Sequence, residues 1–231
     1  MNLKSILNIT LLLLFCSTAF SQKSAQTLLF KKGEVLDILL LSKVPDPALA
    51  FERYKKTAFP VAYKHSYRPQ PGFTITHRYL GGTNPAQFIF GKWDSLDKRE
   101  SFLSNITKEV PDFHQQRNAL FSYFNLIYFE MPNDISFTIH PENLNLVTSF
   151  WAANKKESLA LIDTWKQEVK KQGGTILLSL ENGTSPPGYL YKPDNLIITQ
   201  WNSKNDLEAF IEAHPLAYYE TLENVEQFVI K

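Results

Sequence analysis

The chain has 231 residues, 44% hydrophobic and 13% aromatic, which is material for one large core or two of ordinary size. Its 24 basic and 23 acidic residues nearly cancel, so no general attraction to nucleic acid or an anionic membrane is expected. The only cysteine is Cys16, near the N-terminus, and the rest of the chain therefore has no disulfide, thiolate metal site or cysteine nucleophile.

Residues 1–21 follow the pattern of a secretory signal: Lys4, an apolar run from Ile6 to Phe15, and Ala19-Phe20-Ser21 ahead of Gln22. The run is too short for a spanning helix, so export with cleavage near Ser21 is expected, to the periplasm or the medium, with no transmembrane segment in the mature chain. The rival reading is acylation at Cys16; Phe15 opposes it, because the lipoprotein pattern places a small residue there. With Lys4 removed, 23 basic residues balance 23 acidic ones.

Beyond this segment the chain repeats itself. Phe88-Ile89-Phe90-Gly91-Lys92-Trp93-Asp94-Ser95 and Leu196-Ile197-Ile198-Thr199-Gln200-Trp201-Asn202-Ser203 are apolar strands ending in Trp-[Asp/Asn]-Ser, 108 residues apart. The same offset relates Thr27–Phe30 to Ile135–Thr138, and Leu36–Leu41 to Leu144–Ser149. In chain order, each copy has a short strand and a long buried one, then a helix. The first helix is expected to open at Asp46-Pro47, with Asp46 as cap. The second opens at Asn154, with Glu157 three residues on and Leu159, Ile162, Trp165 and Val169 at helical spacing, and ends at Gly173-Gly174. Strands at Phe73–Leu80 and Thr175–Leu180 follow, after a proline-rich connection from His65 to Gly72 in the first copy. Ser95 and Ser203 then cap the next helices, and Tyr123–Phe129 and Val225–Ile230 close each copy as strands.

Strand-helix-strand-strand-helix-strand, preceded by one short strand, is the split βαβ order. The predicted fold class is α+β: two tandem ferredoxin-like repeats, expected at 22–131 and 132–231. Both helices of such a unit cover one sheet face and leave the other bare. An uncovered face of Leu, Ile and Val is too large an apolar patch for water, so the two sheets are expected to pack together as an intrachain pseudo-dimer, or each against a second molecule in a homodimer.

The second copy resembles the small DUF1330 proteins of the dimeric α/β-barrel superfamily. The resemblance rests on Gly173-Gly174, the Pro193-led strand, Trp201-Asn202-Ser203, and Phe210 through His214-Pro215-Leu216-Ala217-Tyr218. It implies the barrel-type arrangement and a ligand site between sheet and helices, and it covers the first copy only through Trp93-Asp94-Ser95 and the strand order. The superfamily is also similar to cofactor-free monooxygenases and haem-degrading enzymes. The haem-degrading pattern implies a tryptophan followed ten residues later by a histidine, where this chain has Phe210 and Glu220. No cofactor is expected.

His214 is the candidate catalytic residue, because its twin is the apolar Ile106 and an imidazole there could move protons near neutral pH. The alternative is a helix-end histidine satisfied by a carbonyl. Trp201, Trp93 and Trp165 are candidate ligand-binding residues that serve equally well as core anchors, and Tyr218 could meet a ligand or lie half-buried. Asp37 and its equivalent Asn145 are candidate contacts inside the barrel, and a place at a strand start or facing solvent explains them equally well. His65, His77, His114 and His140 have no metal-ligand spacing, and no metal site is expected. The chain is thus read as a binder of a small apolar molecule or an accessory module, with the cavity in at least the C-terminal half. Its rivals are a cofactor-independent monooxygenase-like enzyme and a structural interaction protein without a cavity.

Overall fold

A computed structural model describes residues 24–231; the expected signal segment and Cys16 lie outside the described residues. Two short strands, β1 (Gln26–Phe30) and β6 (Ile135–Ile139), pair with each other antiparallel, while the remaining eight form one sheet. The first repeat contributes β2 (Val35–Lys43), β3 (Arg68–Leu80), β4 (Gln87–Trp93) and β5 (Phe121–Glu130), and the second β7 (Leu144–Ala152), β8 (Thr175–Glu181), β9 (Asn195–Trp201) and β10 (Leu222–Ile230). The order β5-β2-β4-β3-β10-β7-β9-β8 is the ferredoxin-like order written twice, joined where β3 pairs with β10. Thr184, beyond β8, exchanges two backbone hydrogen bonds of 2.9 Å with Tyr128 on β5, so the sheet curls into a ring.

Alternation along each strand explains the two-sided burial. On β2, Leu36, Ile38 and Leu40 point to the interior of the ring, together with Phe88 and Phe90 of β4, Val147 of β7, Ile198 of β9 and Phe228 of β10. Phe88 and Phe228, from different repeats, meet at 5.8 Å between ring centres. These are the two bare faces, each hidden by the other. Leu28 and Phe30 of β1 and Phe137 and Ile139 of β6 belong to the same core, and Phe137 packs on Phe90 at 6.0 Å. The paired short strands are therefore barrel-covering pieces shared between the repeats.

Helices cover the outer face: α1 (Ala48–Lys64), α2 (Leu96–Glu109) and α3 (Phe113–Leu120) on the first repeat, α4 (Lys155–Lys171) and α5 (Lys204–Ala213) on the second. Ser95 and Ser203 cap α2 and α5 through their hydroxyls, and Asn154 caps α4. Gly173 takes φ +90, the left-handed conformation that glycine adopts without steric cost. Asp46 departs from expectation: it sits at φ 51 and α1 starts without any side-chain cap. The proline-rich connection also differs, because β3 already begins at Arg68; its edge position before Gly72 tolerates prolines that donate no hydrogen bond. Helix α3 has no full counterpart in the second repeat, where a single 3-10 turn, Leu216–Tyr219, occupies the same place in the chain order. Among the described residues no helix is long and apolar enough to cross a membrane.

Candidate functional site

The two repeats fill the space between sheet and helices differently. In the second, Trp165 of α4, Trp201 of β9 and Phe210 of α5 are each no more than 1% exposed, and the Phe210 ring packs on both indoles, edge to face on Trp165 at 5.5 Å and tilted on Trp201 at 5.0 Å between ring centres. The Trp165 indole donates to the Tyr219 hydroxyl at 3.0 Å, so even its polar atom is satisfied inside the core. Helices α1 and α4 have the same length of 17 residues, and matching their first residues sets Ala58 against Trp165 and Ala62 against Val169. Two large side chains are thus replaced by methyl groups in the first repeat. The result is a cavity of about 280 Å3 between α1, α2, α3 and the outer face of β2, β4 and β5.

A cavity was expected in at least the C-terminal half; this one lies in the N-terminal repeat. Of the sequence candidates, Trp93 and Asp37 line it. Trp165 and Trp201 are the residues that occupy the equivalent space in the other repeat. Asn145 is fully buried elsewhere, donating to the carbonyls of His140 and Asn143. Tyr218 is half-buried, and its ring packs on His214 at 4.5 Å. His214 is 3% exposed and does not line the cavity. Its Nδ1 lies 2.7 Å from the Phe210 carbonyl and its ring lies 4.2 Å from that of Phe210, so it ends α5 as a packed, hydrogen-bonded side chain.

The cavity has a polar closed end at Asp37, on the helix side of the sheet and not inside the barrel. Leu36 and Ile38 face the barrel, so Asp37 between them faces the helices. Arg99, on the first turn and a half of α2, donates through Nε to Asp37 Oδ1 at 2.6 Å, and Trp93 donates through Nε1 to Asp37 Oδ2 at 2.8 Å. The Arg99 side chain is 1% exposed and that of Asp37 7%. Burial pushes the Asp37 carboxyl above the usual carboxylate range, while the adjacent guanidinium and indole oppose the shift. Arg99 also lies over the Tyr128 ring, 3.5 Å from its centre, which satisfies the face of the guanidinium as the carboxylate satisfies its edge. In the second repeat the equivalent positions hold Asn145 and Leu207, with no charge in either.

The middle of the cavity is apolar and aromatic. Its floor is Leu39, Ile89 and Leu126, one residue from each of three paired strands, followed by Leu41, Gln87 and Phe124 one step further along. Its roof carries Tyr54, Phe102 and Phe113, with Tyr54 and Phe113 stacked at 5.8 Å. Burial pushes the Tyr54 phenol up to about 12, Arg117 working the other way. Tyr67 leans on the wall next to Trp93 at 4.9 Å, and only glycine fits beneath it: a Cβ on Gly91 would come within 2.7 Å of the Tyr67 ring. At the other end stand Lys43, exposed, and Arg117, half-buried.

Sequence inspection had picked out Asp37 and Trp93 and missed Arg99, Arg117 and the small residues of α1. The signal was present in the repeat itself, as Arg99 against Leu207 and Ala58 against Trp165. Among the described residues no group of three His, Cys, Asp or Glu side chains converges as a metal site would require.

No family model matches the sequence, and none of the curated proteins matches it. Among solved structures, the chain is similar to an anthrone oxidase-like protein, at 13% identity and TM-score 0.49 over 88% of this chain and 94% of that one. It is also similar to a mutant chlorite dismutase from Candidatus Nitrospira defluvii, at 7% identity and TM-score 0.47 over 87% of this chain and 93% of that one.

Proposed function

We propose that this is an exported protein that binds a small, largely apolar aromatic molecule between the sheet and helices of its N-terminal repeat. The observation that carries the proposal is the 280 Å3 cavity, close to the lower size of small-molecule sites, with aromatic walls and a few fixed polar groups. The filled state of the equivalent space in the second repeat supports it, because the same fold closes that space whenever large side chains are available. Empty apolar volume costs stability, and its retention in one repeat points to use.

Binding is favoured over proton transfer because both oxygens of Asp37 are already held, by Arg99 and Trp93, and His214 does not line the cavity. Export rests on residues 1–21, and the kinship with DUF1330 proteins on the motifs from Gly173 to Tyr218; both belong to this proposal. The test is a titration of the mature chain with 2-naphthol, read by quenching of Trp93 fluorescence against a Trp93→Phe control. Ala58→Trp, which gives α1 the residue α4 carries, should weaken the interaction at least tenfold. Equal affinity in wild type and Ala58→Trp would place the site elsewhere and sink the proposal.

A further inference from the structure

Resting on that binding reading, we infer that the ligand is an aromatic carboxylate whose ring enters the cavity and whose anionic group stays at the open end, between Arg117 and Lys43. Among the described residues neither cation forms an ion pair with an acidic side chain, whereas Arg99 at the closed end is neutralised by Asp37. Arg117 is held in place without being neutralised. Its guanidinium lies 3.9 Å over the centre of the Phe124 ring and donates to the hydroxyl of Tyr189, a neutral acceptor. A half-buried guanidinium fixed on aromatic faces keeps its remaining N–H groups available in the planar fork that suits a carboxylate. Lys43, six residues along β2 from Asp37, lies 4.7 Å over the Phe51 ring and adds a second positive charge at the rim.

The two ends therefore differ in sign of demand. The closed end is charge-balanced and has no unmet need for an ion, so it suits the apolar edge of a ring. Among the described residues that line the cavity, the open end carries two cations and no acid. Between them, the Oε1 atom of Gln87, which pairs with Leu41 two residues before Lys43, is buried without a hydrogen-bond partner and would accept from a ring hydroxyl. The walls are ring faces and ring edges, which match a flat aromatic body better than a flexible alkyl chain.

The experiment compares 2-naphthoate, its methyl ester and dodecanoate on the mature chain by isothermal titration calorimetry at low and at physiological salt. The acid should bind at least tenfold tighter than the ester, the scale of a hydrogen bond to a charged group. Arg117→Gln should remove most of that preference while leaving the ester's affinity within about threefold, and Lys43→Gln, at an exposed position that does not threaten folding, should reduce it in part. Equal binding of acid and ester to wild type, or an acid preference that survives both substitutions, overturns the inference while the cavity reading stands. Dodecanoate binding tenfold tighter than naphthoate overturns the aromatic assignment, and no binding of any of the three overturns the inference and the cavity reading together.

Discussion

Replacing Arg99 by leucine, the residue that the second repeat carries at the same position, isolates the cost of the buried ion pair. The substitution leaves Asp37 with the Trp93 indole alone, in a site where its side chain is 7% exposed. Breaking one member of a buried pair strands a charge and typically costs about 3–5 kcal/mol. Loss of the contact with Tyr128 adds up to about 2 kcal/mol when the cation is desolvated. Against a total stability of about 5–15 kcal/mol for an ordinary domain, that is a large fraction. The double variant Asp37→Asn/Arg99→Leu reproduces the uncharged combination of Asn145 and Leu207, removes both desolvation costs, and should return to within about 1 kcal/mol of wild type. Urea unfolding monitored by far-ultraviolet circular dichroism gives both values, and the coupling between the two sites should exceed about 3 kcal/mol. The deficit of Arg99→Leu should also depend on pH. With the guanidinium gone, the Asp37 carboxyl moves further above its already raised wild-type position, so the variant loses more stability than wild type as pH rises and is closest to it at or below the usual aspartate range. A loss below about 1 kcal/mol for the single variant, or strictly additive effects in the double one, refutes the reasoning.

Three other outcomes are expected. His214→Ile, which installs the residue of Ile106, should leave naphthol affinity unchanged and alter stability by no more than about 2 kcal/mol, because the hydrogen bond to the Phe210 carbonyl is lost while an apolar side chain still packs on Phe210 and Tyr218; a large fall in affinity would return His214 to the site. Trp165→Ala should open in the second repeat the space that Ala58 leaves in the first, at a cost of about 3–5 kcal/mol in chemical unfolding, and unchanged stability would contradict the filled core described for that half. Glu226, 3% exposed and bonded by the Thr83 hydroxyl at 2.7 Å, has its carboxyl pushed up by burial. The folded state therefore keeps this proton to higher pH than the unfolded chain, and stability falls as pH rises from the usual glutamate range through the raised value. Glu226→Gln should melt above wild type at pH 8 and level with it at pH 4; the opposite order would mean that the ionised form is the stabilised one.

Much of the architecture was legible before any coordinates. Trp93-Asp94-Ser95 and Trp201-Asn202-Ser203 announced the repeat, and the period-two strands with serine-capped helices carried the split βαβ order, because those signals are local and depend on neighbours in the chain. Apolar strands on both sides of one sheet required two partners for it, helices outside and a second sheet inside. What local pattern could not rank was the helix-facing space of each repeat. Trp165 and Ala58 are both ordinary helical core residues when read alone; one fills a volume and the other leaves it, and the difference exists only once α1 and α4 are laid on equivalent sheets. Likewise His214 looked reactive because a titratable ring had replaced a hydrophobe, yet its fate was decided by a carbonyl one helical turn back. Asp37 and Arg99 are 62 residues apart, and only the closure of β2 against α2 could show that their charges neutralise each other. Patterning along the chain determined which faces are buried, since burial follows from periodicity; the shape and charge of the space left between those faces depends on side chains distant in sequence, and tertiary packing alone decided it.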